Sequence, residues 1–231
     1  MNQRLGRASV RLEQPVYILQ SASIVGTKEG NGPLGLLFDR VGRDDMFSCK
    51  TWEEAESALQ KEAVGLALEK AALRPEDISY VFAGDLLGQS MATSFGISAY
   101  EIPLLGIYGA CSTCGEALIL GAMSIAGGFA DKAVCVTSSH FASAEKEFRF
   151  PLDYGNQRPL SATWTVTGSA AFVLSALPRE GGRKPKARIS AMTIGKVVDY
   201  GLKDSMNMGA CMAPAACDTI YQHLVDFDRK P

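Results

Sequence analysis

At 231 residues and 47% hydrophobic content, the chain can bury one large core or two small ones. Its 23 Lys and Arg against 25 Asp and Glu leave a net charge of -2, which excludes the basic footprint of nucleic-acid binding. No stretch is apolar enough to cross a bilayer and the N-terminus lacks a signal-peptide core, so synthesis in the cytoplasm is expected. The six cysteines without regular spacing suit a reducing compartment, and without a second Cys pair or a nearby His no zinc site, and no cofactor, is expected.

Residues 1–13 read as a polar lead-in to a strand at Val16–Ser21. Gly26–Gly35 is a turn-rich loop long enough to be functional, where Lys28, Arg40 and Arg43 either face an anion or stay solvated. Thr51 and Glu54 form a capping box for a helix to about Ala72, with Ala55, Leu59, Ala63, Leu66 and Leu68 on its apolar face. Ile78–Ala83 is the second strand, and Asp85 lies just past it. Ligands of open parallel sheets gather beyond such ends, which makes Asp85 a candidate; local turn hydrogen bonds are the competing reading. Met91–Tyr100 reads as a short helix.

Leu104–Tyr108 reads as a buried strand, Gly109-Ala110 as a sharp turn, and Thr113-x-x-Glu116 as a capping box that starts a helix to about Ala126. Cys111 and Ser112 thus fall on an elbow. A thiol at the head of a helix lies beside unpaired N–H groups that favour its anionic form. The helix carries apolar or small residues on nearly every face, so it is expected to be buried all round. For Cys49, Cys135, Cys211 and Cys217 the reading is packing.

Ala133–Thr137 is the fourth strand, and Ser138-Ser139-His140 places His140 at the same edge as Asp85 and Cys111. Phe141–Pro159 reads as a loop, a lid carrying Lys146, Arg149 and Arg158. Thr163–Ser175 is a strand or hairpin, Arg179–Arg188 a solvated connection, Ala187–Gly195 a strand and Ala210–Leu224 a helix. The order strand, Gly-bearing loop, helix, then Arg-Pro or Lys-Pro occurs twice, in Val16–Pro75 and Ala187–Pro231. The second pass stops before its second strand. The expected organisation is one full α/β half, residues 1–180, and the opening of another, residues 181–231, in a fragment.

Two α/β halves with a Cys elbow in the first resemble the thiolase-like fold: layered α/β/α with a mainly parallel mixed sheet. More narrowly, Gly32-Pro-Leu-Gly35, Ala83-Gly-Asp-Leu-Leu87, Gly109-Ala-Cys-Ser-Thr113, Ser138-Ser-His140, Phe148-Arg-Phe-Pro-Leu-Asp-Tyr-Gly155, Thr165-Val-Thr-Gly-Ser169 and Met208-Gly-Ala-Cys-Met-Ala-Pro-Ala-Ala216 resemble the stage V sporulation protein AD family of spore-forming bacteria. The resemblance covers the chain from about Pro15. It implies binding of dipicolinic acid, free or as its calcium chelate, in uptake during sporulation and release in germination. It further implies a peripheral place at the spore inner membrane with other proteins of the same operon, and a homodimer.

The leading expectation is therefore a non-catalytic binder on a condensing-enzyme scaffold, with Cys111, Ser112, Asp85, His140 and Arg149 at the ligand and Arg149 facing a carboxylate. One alternative is an acyl-transferring enzyme with Cys111 as nucleophile. Condensation also needs a base and an oxyanion hole, which the resemblance places in the second half of the fold. Another is a dithiol oxidoreductase built on Cys111-Ser-Thr-Cys114, against which the expected burial of the helix counts.

Overall fold

The computed structural model describes residues 3–148, 164–178, 184–204 and 207–230. Along the chain run β1 (Gln3–Leu5), β2 (Ser9–Val25), α1 (Thr27–Gly30), β3 (Arg40–Val41), α2 (Trp52–Ala71), β4 (Tyr80–Asp85) and α3 (Met91–Ile97). They are followed by β5 (Leu104–Gly106), α4 (Thr113–Ala126), β6 (Lys132–Ser139), α5 (Phe141–Phe148), β7 (Gly168–Ser175), β8 (Ala187–Thr193) and α6 (Met208–Asp226). Two compact units result: Val16–Arg188, and Met1–Pro15 with Ile189–Pro231.

In the larger unit the strands lie in the order β2, β7, β6, β4, β5, with β3 also on β2. β4 pairs in parallel with β6 (Val81↔Val134) and with β5 (Val81↔Leu104), whereas β7 is antiparallel to both β6 and β2. The sheet is mixed, and the carboxyl ends of β4, β5 and β6 share one edge.

Alternation along the strands sorts the two faces. Val81, Ala83, Val134, Val136, Ala171 and Val173 join one buried cluster with Leu59, Ala63, Val64, Ala67 and Leu68 of α2. The intervening Phe82, Cys135 and Leu174 face α4 on the other side. A Cβ on Gly121 would lie 2.7 Å from Cys135 Sγ, so α4 approaches this closely only because its inner residues are small. α2 starts at the expected capping box: Thr51 Oγ1 accepts the Glu54 N–H at 3.1 Å and the Glu54 carboxylate accepts the Thr51 N–H at 3.2 Å, an arrangement worth about 1 kcal/mol.

Residues 3–5 and 9–13 are strand, not lead-in; β5 ends at Gly106 and leaves Leu105 and Tyr108 exposed, not buried; and Cys211 and Cys217 are exposed, not packed. Three further expectations are corrected. Residues 141–148 are helical, not loop: the run of Ala, Glu and Lys suits a helix, and Ala142 and Ala144 anchor its inner face. Lys146 on this helix pairs with Glu53 of α2. Arg149, Arg158 and the rest of the expected lid, 149–163, lie outside the described residues. Second, α4 is buried on one face only, through Thr113, Ala117, Gly121, Ala122 and Ile125, while Leu120 is exposed. Its apolar pattern marked a hydrophobic helix but not how many sides the fold covers. Third, the capping box at Thr113 and Glu116 does not form, for reasons given below.

In the smaller unit β1 runs antiparallel to the start of β2 (Gln3↔Arg11), and β8 also pairs with β2. The Asp226 carboxylate, at the end of α6, accepts the N–H groups of Arg7 and Ala8, each at 3.0 Å. Desolvation works to raise that carboxyl, but these two backbone donors together with the side chains of Ser9 and Gln222 outweigh it and hold it far below the usual range. Among the described residues no helix is long and apolar enough to cross a membrane.

Candidate functional site

After β5 the chain is still tied to the sheet, for Ile107 N–H donates to Ala83 O at 2.7 Å. It then reverses through Ala110, whose φ of 47° is left-handed, a conformation that costs a residue with a Cβ about 1–2 kcal/mol. A short 3-10 turn, Ala110–Ser112, feeds directly into α4. Because the turn precedes the helix, Thr113 is already inside it. Its Oγ1 accepts the Gly109 N–H at 3.2 Å, while Ser112 Oγ donates to Gly109 O and to the Glu116 carboxylate. The two side chains of the expected capping box brace the elbow instead.

Cys111 and Ser112 are exposed there. Cys111 opens onto a cavity of about 320 Å³ at the shared strand edge. Val25, Phe38, Leu86 and Val166 supply apolar wall; Ser23, Thr137, Ser138, Ser139 and Ser169 supply polar positions; Cys114 lies beside Cys111. Among the described residues that line it, the titratable side chains are the two cysteines. Cys114 is half-buried, and burial pushes its thiol up. Cys135 is buried beneath the helix, donates to Ala117 O at 3.1 Å, and has its thiol pushed far up by burial.

Asp85 and His140 reach the expected edge but do not line the cavity. Asp85 is fully buried and accepts Ser90 N–H at 3.1 Å, Thr93 N–H at 3.2 Å and Thr93 Oγ1 at 2.9 Å. It thereby holds a turn in which Gln89 and Ser90 both have left-handed φ. His140, also fully buried, has Nε2 at 2.7 Å from Asp45 O, and its Nδ1 accepts the Ala142 N–H at 3.2 Å, which places the ring proton on Nε2. It pins the loop containing Asp45, whose Oδ1 in turn accepts the Thr27 N–H and hydroxyl.

Behind the cavity wall runs a chain of buried polar groups that reading the residues did not anticipate. Gln60 Nε2 donates to Thr93 Oγ1 at 2.9 Å and to Ser138 Oγ at 2.8 Å; Thr93 passes its hydroxyl proton toward Asp85, and Ser138 toward Glu56 at 2.8 Å. Ser143 Oγ donates to the second Glu56 oxygen at 3.0 Å. The signal available was Glu56 and Gln60 at i and i+4, directly beside the apolar stripe of α2.

The family model of "Stage V sporulation protein AD (SpoVAD)" matches residues 6–231. Stage V sporulation protein AD of Bacillus subtilis (strain 168) is 42% identical over 224 residues. The chain belongs to the stage V sporulation protein AD family. It covers 64% of that relative's length, the match taking in 97% of this chain. Among solved structures, the chain is similar to OleA E117A of Xanthomonas campestris bound with cerulenin, with a TM-score of 0.62 at 16% identity over 95% of this chain and 73% of that one. It is likewise similar to 3-oxoacyl-(acyl carrier protein) synthase III, FabH, of Xanthomonas oryzae pv. oryzae, with a TM-score of 0.59 at 15% identity over 95% and 75% of the two chains. The fold is that of the thiolase-like condensing enzymes.

Proposed function

We propose that the protein is a non-catalytic binder of dipicolinic acid, received in the cavity beside Cys111. The observation that carries the reading is the make-up of that cavity. It lies at the carboxyl ends of parallel strands, where α/β sheets take ligands, with an exposed thiol and hydroxyl at the head of α4 and no acid or base other than cysteine among its described lining residues. Phe38, Leu86 and Val166 suit the flat faces of a pyridine ring. The helix N-terminus and the serines suit its carboxylates. Arg149 is proposed as the charged donor to one carboxylate, and Asp85 and His140 as residues that hold the surrounding loops.

On this reading the protein serves dipicolinate uptake in sporulation and release in germination, at the inner membrane of the spore with proteins of the same operon and as a homodimer. Titration of the full protein with dipicolinate, alone and with calcium, should give saturable binding that Cys111→Trp abolishes by filling the cavity. Absence of saturation would end the proposal. The strained, exposed elbow favours one second reading, acyl transfer through Cys111. It predicts a covalent acyl group on Cys111 after exposure to an acyl thioester.

A further inference from the structure

Successive residues of β6 turn to opposite faces of the sheet. Val134 and Val136 pack in the cluster under α2, and Ser138 continues that side by bonding Gln60 and Glu56. Cys135 points the other way and donates to Ala117 O of α4, so Thr137 and Ser139 belong with it to the α4 side. The register carries this side across the sheet. Thr137 pairs with Ala170 of β7 and Ala170 with Ser23 of β2, and all three line the cavity beside Cys111.

The serines give that cavity its polarity, but each already has an acceptor. Ser23 Oγ accepts the Asp39 N–H at 3.2 Å and reaches the Asp39 carboxylate at 3.4 Å; Ser139 donates to Val166 O, and Ser169 to Thr137 O at 2.9 Å. The Thr137 hydroxyl has no partner among the described residues. Nor is it closed off, for the buried side-chain atoms without partners among those residues are Glu29 Oε2 and Gln60 Oε1. On the elbow, the Ala110 and Cys111 N–H groups are likewise without partners among the described residues, and both residues line the cavity. Free donors therefore come from two elements, the head of α4 and the end of β6.

We propose that Thr137 sets the specificity of this cavity: its hydroxyl donates to one carboxylate of a planar dicarboxylate whose other carboxylate lies at the elbow N–H groups. This rests on the ligand reading above and goes beyond it in naming the group that recognises the second carboxylate. A carboxylate only accepts, so it needs a donor whose hydrogen is not committed elsewhere. Thr137 supplies one without giving up a bond. Its β-branch holds χ1 to few rotamers, so little side-chain freedom is lost in doing so. A ring with a single carboxylate is satisfied at the elbow and gains nothing from Thr137.

The test compares dipicolinate with picolinate, the same ring with one carboxylate, each titrated into the full protein in metal-free buffer. The wild type should prefer dipicolinate by about tenfold to a hundredfold, the worth of one hydrogen bond to a charged group. Thr137→Val, which keeps the side-chain shape and suits a strand, should remove that preference by weakening dipicolinate alone. Thr137→Ser, which keeps the hydroxyl, should retain most of it. A wild type that binds the two ligands equally overturns the inference with no variant needed. So does a Thr137→Val protein that keeps the preference, or one that loses both ligands alike, which marks a structural role. Each of these leaves the ligand reading standing; no saturable binding of dipicolinate by the wild type overturns both.

Discussion

Gly84 lies so close to Ile107 that a Cβ on it would stand 2.2 Å from the Ile107 carbonyl oxygen, and 2.6 Å from Cγ2 of Thr113. The end of β4 and the approach to Cys111 are therefore in backbone contact, and the elbow rests on the absence of a side chain. Gly84→Ala should force Ile107–Thr113 outward at a cost of about 1–3 kcal/mol. A lower urea midpoint together with altered reactivity of Cys111 is the expected result.

The elbow itself stores strain at Ala110. Ala110→Gly relieves the left-handed φ of 47° and should raise stability by up to about 1 kcal/mol, despite the greater freedom glycine has when unfolded. The same change at Ala117, inside α4, should lower it by about 1 kcal/mol or more. Parallel urea titrations of the two variants give the sign of each.

Thiol accessibility separates the cysteines. Brief treatment with iodoacetamide followed by mass mapping should modify the exposed Cys111, Cys211 and Cys217 first and the buried Cys135 last. Dipicolinate should slow modification at Cys111 and leave Cys211 and Cys217 unchanged. Equal labelling of Cys111 with and without ligand would place the binding elsewhere.

Glu56 also sets a pH dependence of stability. Its folded value of about 7 lies above the ordinary 4.5, so the native state holds the proton more tightly than the unfolded chain. The contribution is complete below about pH 4.5 and is lost as the pH rises through about 7, a change on the order of 3 kcal/mol. Glu53, held low by its hydrogen bond from Lys146, works in the opposite sense and in a lower window, losing its contribution on acidification. Unfolding midpoints between about pH 5 and pH 8 should therefore decline for the wild type, and Glu56→Gln should remove that decline.

Two identical signatures in this chain had different outcomes. Thr51 with Glu54 caps α2 as its spacing implies, because the preceding chain arrives extended. Thr113 with Glu116 does not cap α4, because Ala110 has already turned the backbone and Ser112 is helical in its own φ and ψ. The local residues are the same; what differs is the direction from which the strand delivers them. The helical run 141–148 is hidden for a related reason: it is short, its capping acceptor is the ring of His140 in place of a Ser, Thr, Asp or Asn, and it packs against α2.

The amino-acid order by itself determined the succession of strands, turns and helices, and hence that Asp85, Cys111 and Ser138–His140 would meet at one edge, because side-chain period, capping and turn chemistry act over a few residues. It also carried the motifs of the stage V sporulation protein AD family. Depth was decided only in three dimensions. Asp85 and His140 turned inward while Cys111 remained at the surface, and Ser138 came to donate to Glu56, 82 residues away in the chain. Which hydroxyl faces which carboxylate depends on the register of β6 against β4 and on the rotation of α2 over both. Those quantities arise from packing of the whole core, and no local pattern contains them.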